Sequence, residues 1–360
     1  MTEWRECKLG DVITFQRGYD LPKDKMVRGI YPVVASNGII GFHNEYTTEN
    51  PCVTIGRSGN VGNPNIVYSR AWAHNTTLYI REYKNCDPVF IYYMLHTLDL
   101  GRYASGSAVP TLNRNHIHSI LISMPPLPEQ KAIAEVLSSL DDKIDLLTRQ
   151  NKTLEDLAQA YFRKWFIEDA SDKWEEKGLD EIADFLNGLP LQKYPYKTGN
   201  PLHVIKIKEL NNGFTDSSDL CSADIPEQYI VHPGDVIFSW SGSLKVDIWK
   251  YGKGALNQHL FKVTSCNYPK WFYYFWIKYH LPEFKMIAES KATTMGHIQR
   301  RDLSNAIVLV PENQEINNMD NIMSPLIKKI EQNNAQILVL QKLRDTLLPK
   351  LISSEIRLKM

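Results

Sequence analysis

The chain has 360 residues, 43% of them hydrophobic and 11% aromatic, which is more than one ordinary domain uses and enough for two cores. Lys+Arg and Asp+Glu both number 41, so no global basic excess points to nucleic acid and charge has to be read locally. Five scattered cysteines without a C-x-x-C pair argue against a disulfide framework or a zinc site, and no run approaches the roughly 18 apolar residues of a membrane span. The start, MTEWRECKLGD, has no apolar signal region, so a soluble protein of the reducing cytoplasm is expected.

In chain order, residues 1–128 form a first globular stretch of short strand-forming runs punctuated by Gly, Asn and Pro. "CVTIGRSGN" (52–60) carries a glycine-rich turn, "HNTTLYI" follows near Asn75, and "VFIYYMLHTL" predicts a buried helix. Two windows are free of acids: 51–81, with Arg57, Arg70 and Arg81, and 100–128, with Arg102, Arg114, His116 and His118. Residues 129–170 predict a long helix that opens on Pro128 and Glu129. Its apolar seam steps by 4 and 3 through Ile133, Leu137, Leu140, Ile144, Leu147, Asn151, Leu154, Ala158, Tyr161 and Trp165.

A second globular stretch, 171–311, holds the strand-like runs "VIKIKEL", "DVIFSW", "HLFKVT" and "NAIVLVP" and a second aromatic helix, "KWFYYFWIKYHL". Its charge is polarised: residues 174–244 carry five Lys/Arg against eleven Asp/Glu, and 245–301 carry ten against three. Residues 312–360 predict a second long helix and a tail. The seam here is Met319, Met323, Leu326, Ile330, Asn333, Ile337, Leu340, Arg344 and Leu347, with Pro349 expected to stop the helix.

The chain is written twice. At an offset of 170, Trp4, Leu9, Val12, Phe15, Gly18 and Leu21 fall on Trp174, Leu179, Ile182, Phe185, Gly188 and Leu191. "CVTIGRSGN" then resembles "DVIFSWSGS" (235–243), and Asn75 is matched to Asn257 at about 182. "PTLNRNHIHSILISMP" (110–125) lies over "GHIQRRDLSNAIVLVP" (296–311) at 186, pairing Leu112 with Ile298 and Arg114 with Arg300. The fold class expected is α/β (α+β): two pseudo-symmetric small globular domains separated by a long antiparallel two-helix coiled coil. Chain order dictates the antiparallel sense, and about 34 residues at roughly 1.5 Å each would hold the domains on the order of 50 Å apart. Asn151 and Asn333 sit in the middle of their seams, where a buried polar residue costs stability but fixes register; a mutual hydrogen bond is expected.

Catalytic constellations are missing. There is no N-P-P-Y or D-P-P-Y, F-x-G-x-G, G-x-x-x-x-G-K-[ST] or G-x-S-x-G, and Asp247 and Lys250 lack the D/E-x-K spacing of a nuclease. "GRSGNVG" matches "SWSGSLK" only at its central Ser-Gly, which suits a tight turn presenting polar side chains better than a phosphate cradle. His116 and His118 read as surface or loop residues rather than metal ligands.

The duplication, "PLPEQKAIAEVLSSLDDKID" with "LAQAYFRKWF", "SGSAVPTLNRNHI", "GALNQHLFKVT" and "ATTMGHIQRRDLSNAIVLVP" strongly resemble the DNA-specificity subunit of type I restriction-modification systems, over essentially the whole chain. The resemblance implies that each globular half is a target recognition domain reading one half of a split site on double-stranded DNA. The helices would act as a ruler for the gap and dock two methylation subunits, to which restriction subunits join. It also implies no catalytic centre and no cofactor in this chain, S-adenosylmethionine being carried by the methylation subunits.

Carried onto this sequence, the resemblance and the loop positions nominate Arg57, Ser58, Asn60, Ser107, Thr111, Asn113 and Arg114 as DNA-binding residues of the first half. In the second half they nominate Trp240, Ser241, Ser243, Lys245, Asn257, Gln258, His259, Thr293, Thr294, His297, Arg300 and Arg301. Lys and Arg can hold phosphates or read guanine, and Asn and Gln can read adenine. Asn75 and Asn257, matched between halves, lean structural, because a duplicated Asn does not by itself read two sequences. Two other readings stay open: a self-sufficient methyltransferase or nuclease, and a coiled-coil scaffold that binds no DNA.

Overall fold

The computed structural model describes residues 4–106, 110–290 and 296–358. Two compact units emerge, residues 1–144 with 340–360 and residues 145–339, so the division falls within both long helices.

In the first unit a four-stranded antiparallel sheet runs Ile13–Arg17, Thr77–Tyr83, Cys52–Gly56, Pro64–Val67. The second unit repeats that order with Asp184–Asn187, Leu260–Thr264, Val236–Ser239 and Lys245–Ile248. Phe15 pairs with Ile80 and Phe185 with Val263, each phenylalanine packed into its own core, so this part of the repeat runs at 183. Each unit adds a smaller mixed sheet. In the first it comprises Gly38–His43, Tyr31–Ala35 and Trp72–Ala73; in the second, Leu220–Cys221, Leu202–Ile205, Gly254–Leu256 and Ile230–Val231. A two-stranded ribbon closes each unit, Arg5–Lys8 on Leu121–Met124 and Glu175–Gly178 on Ile307–Val310. The "VIKIKEL" run is only half a strand: it turns helical over Ile207–Asn212, because Glu209 bonds back to the Lys206 N–H and caps the new helix.

The aromatic segments are helices, as their composition predicts. Pro88–Thr97 begins where Asp87 accepts from the N–H groups of Val89 and Phe90, and it buries Phe90, Ile91, Met94 and Leu95. Its counterpart, Lys270–Ser290, is about twice as long and buries Trp271, Phe272, Phe275 and Trp276.

The long helices are Leu127–Arg163 and Asn313–Ile352. In the first unit Ile133 and Leu137 share a core with Leu351 and Ile352, while Arg344 reaches Asp141 at 2.7 Å and Tyr93 donates to the same carboxylate at 2.6 Å. In the second unit Ala158, Phe162 and Phe166 share a core with Ile316, Met323 and Ile327. Within each unit, late residues of one helix meet early residues of the other, so the pair is antiparallel. Pro349 does not end the second helix, which continues to Ile352. A proline inside a helix costs about 3 kcal/mol. Leu347, Leu348, Leu351 and Ile352 all pack into the first-unit core, and at about 1.5–3 kcal/mol per buried aliphatic side chain that burial outweighs the break.

One glycine pair shows how closely the two units copy each other. A Cβ on Gly18 would lie 2.1 Å from the carbonyl oxygen of His74, and one on Gly188 would lie 2.2 Å from that of Asn257. The same two contacts appear as the bridges Tyr19–His74 and Leu189–Asn257. The residue equivalent to Asn257 is therefore His74, not Asn75; two adjacent polar residues, His-Asn against Asn-Gln, let the sequence match slip by one.

Candidate nucleic-acid interface

Each four-stranded sheet runs out into a turn at the same place. In the first unit the strand Cys52–Gly56 ends in Arg57-Ser58-Gly59-Asn60, and in the second Val236–Ser239 ends in Trp240-Ser241-Gly242-Ser243. Gly59 and Gly242 both take left-handed backbone, φ +82° and +67°, which L side chains resist and which explains the Ser-Gly shared by the two turns. The closing loop lies against each turn through the same backbone bond: Leu112 N–H donates to Arg57 O at 2.9 Å, and Ile298 N–H to Trp240 O at 3.0 Å. The bridges Ser58–Thr111 and Ser241–His297 repeat as well. Thus the turn and the closing loop, far apart in sequence, form one surface in each unit.

On this common frame the side chains differ. In the first unit Arg57 and Arg114 join Arg17, at the end of the strand Ile13–Arg17, around a concavity of about 280 Å³ floored by Leu78 and Leu112. Thr111 and Asn113 complete the rim, and among the described residues no carboxylate lines it. Burial, and then the charge on Arg17, pull the Arg57 guanidinium below its ordinary value. Asn113 also accepts from the Asn115 N–H at 3.0 Å and caps the short helix Arg114–His118. Asn60 is exposed and accepts from Asn63; Ser58 is half-buried. Arg70 drops out of the basic surface, because Glu49, outside the acid-free window, pairs with it at 2.8 Å.

The second unit presents aromatic and imidazole groups instead. The Trp240 ring lies 6.0 Å from His259, 6.3 Å from His297 and 5.9 Å from Phe261, and its indole N–H donates to Asn187 at 3.1 Å. Arg300 lies over Phe261, 5.8 Å from its centroid, and donates to Phe185 O at 3.0 Å. Ser241 is buried against His259 Nδ1 at 3.1 Å, and Asn257 is buried with its side-chain oxygen accepting from the His259 N–H at 3.2 Å. Lys245 pairs with Asp247 at 2.9 Å and donates to Leu210 O. These three hold the turn together. Gln258 is half-buried beside His259, at 3.3 Å, while Ser243 and Arg301 are exposed. Ser107, Thr293 and Thr294 lie outside the described residues.

Arg17 and Asn187 were not among the sequence candidates. The signal was there: each stands two residues after the matched Phe15 or Phe185, hence on the same strand face, at the point where that face leaves the core.

His118, one turn behind Arg114, is held toward its neutral form. Its Nε2 accepts from the Phe15 N–H at 3.1 Å and its ring stacks on Phe15 at 5.9 Å; burial, then Arg114 and Lys84, push its pKa down. His116 is exposed. Among the described residues no three His, Cys, Asp or Glu side chains gather as metal ligands, and no helix is long and apolar enough to cross a membrane.

In the second unit Asn333, fully buried, donates to Asn151 Oδ1 at 2.9 Å and to Gln150 Oε1 at 3.0 Å. Asn151 in turn donates to Asn334 Oδ1 at 2.9 Å, and among the described residues Asn333 Oδ1 finds no partner.

Fold and surface together define a duplicated recognition protein: one scaffold used twice, with two different polar surfaces at the same place and paired helices threading both units. A family model described as the type I restriction modification DNA specificity domain matches residues 1–156 and again 171–342. The MjaIX type I specificity subunit of Methanocaldococcus jannaschii is 30% identical over 302 residues, 75% of this chain and 69% of the relative. The MjaVIII specificity subunit of the same organism is 23% identical over 99% of this chain and 94% of its own. The crystal structure of the type I restriction-modification S subunit from M. genitalium shares the fold, with a TM-score of 0.68 at 17% identity over 97% of this chain and 96% of that one. The chain belongs to the type I restriction-modification DNA specificity family, whose members recognise DNA sequence for these systems.

Proposed function

We propose that the chain reads a split site on double-stranded DNA, one block per unit, through the turn and closing loop around Gly59 and around Gly242. The long helices fix the gap between the blocks and carry two methylation subunits, which bring S-adenosylmethionine and flip the target adenine out of the duplex; restriction subunits join that core in the cytoplasm. This chain's own part is to bind and position DNA, with no bond-breaking centre of its own. The observation that carries the reading is the repeated frame with unlike side chains, Arg17, Arg57 and Thr111 in one unit and Asn187, Trp240 and His297 in the other. Two different base sequences at either end of one duplex call for such a pair of surfaces.

The test is selection from randomised duplexes by the chain assembled with its methylation subunits. Two specific blocks separated by a fixed unspecified gap are expected. Sequence-blind binding, or a single block, would contradict the reading, as would methylation or cleavage of DNA by the purified chain alone.

A further inference from the structure

The duplication allows base contacts to be separated from phosphate contacts. The phosphodiester backbone is alike at both blocks, whereas the bases differ. Two units on one frame are then expected to keep the same residue where they touch phosphate and to differ where they read bases. Arg114 and Arg300 are equivalent, both on the first turn of the closing-loop helix, and both are arginine. The strand-end position is Arg17 in one unit and Asn187 in the other, two residues beyond the equivalent Phe15 and Phe185. The turn position is Arg57 in one and Trp240 in the other, fixed by the matching bonds from Leu112 and Ile298.

We propose that positions 17 and 57, and their equivalents 187 and 240, are the base-reading pair of each unit, and that in the first unit Arg17 and Arg57 read guanine. This rests on the split-site reading above. A guanidinium offers paired N–H donors that fit the O6 and N7 acceptors of guanine in the major groove. Arg17 is exposed and Arg57 half-buried; both line one concavity and, among the described residues, meet no carboxylate there, so their donors remain available to a ligand rich in acceptors. In the second unit the same two positions are tied to each other, Trp240 donating to Asn187, which leaves the Asn187 amide donors and the indole face to a different base. The first block therefore contains guanine where this pair lands, and the second block is read there by other chemistry.

The test repeats the duplex selection with the assembled complex carrying Arg17→Ala, Arg57→Ala or Arg114→Ala. Arg17→Ala and Arg57→Ala are expected to relax the preference for guanine at one position of the first block by on the order of 10- to 100-fold and to leave the second block intact. Arg114→Ala is expected to weaken binding to all sequences alike. Transplanting the second unit's pair, Arg17→Asn with Arg57→Trp, should abolish the guanine preference without touching the second block; if that double variant fails to fold, the single alanine variants decide. Should the wild-type complex select a two-block site while Arg17→Ala and Arg57→Ala lower binding uniformly or leave the first block unchanged, this assignment is overturned. A wild-type complex that selects no two-block site overturns the split-site reading itself.

Discussion

An imidazole that has to stay neutral stands behind the arginines of the first unit. His118 accepts the Phe15 N–H and faces Arg114 and Lys84, so a proton on it would break the bond and add a third charge. Its pKa is held below the ordinary 6.5, and the sign follows: the unfolded chain takes up the proton first. The stability His118 contributes is complete above pH 6.5 and is lost as pH falls through the lower folded value. Chemical denaturation followed at pH 7.5 and 5.5 should show the first unit weakening at the lower pH, and less so in His118→Gln, which keeps an acceptor. Equal losses in wild type and variant would contradict this. At this scale the sequence was legible where charge stood in an acid-free loop, as at Arg57 and Arg114. It misled where the pairing partner came from elsewhere in the chain, as Glu49 does for Arg70, and where neighbours shared polarity, as at His74 and Asn75.

At the scale of elements, the seam of 4- and 3-residue steps is the most legible feature of the chain, because a helix that buries one face must repeat it. The second buried row, Phe162 on the first helix and Phe166 on the π-helical turn Lys164–Glu168 that continues it, was not legible: it serves the aromatic helix Lys270–Ser290, whose position only the fold supplies. The asparagines in the seam have a price that can be measured. Asn333→Leu alone leaves Asn151 Oδ1 and Gln150 Oε1 without their donor and should cost roughly 1–3 kcal/mol. Asn151→Leu with Asn333→Leu removes both members together with the unpartnered Asn333 Oδ1, and calorimetry should place its melting temperature above that of wild type. A double variant less stable than Asn333→Leu would mean that the amides, not the apolar seam, hold the helices together there.

For the whole molecule, the order of globular stretch, helix, globular stretch, helix could be read from the repeat alone, since the matched residues keep their order through every change of offset. The sheet order could not, because sheet neighbours such as Ile13–Arg17 and Thr77–Tyr83 are separated in the chain by 59 residues, Gly18 to Thr76, of other structure. If two units read two blocks and helix length sets the gap, the gap has to follow the helices. Lengthening both long helices by one heptad keeps the seam in phase and adds about 10 Å, or about three base pairs at roughly 3.4 Å each. Duplex selection with the lengthened chain, assembled with its methylation subunits, should return the same two blocks with the gap increased by about three base pairs; an unchanged gap, or altered blocks, would mean that the helices do not set the spacing.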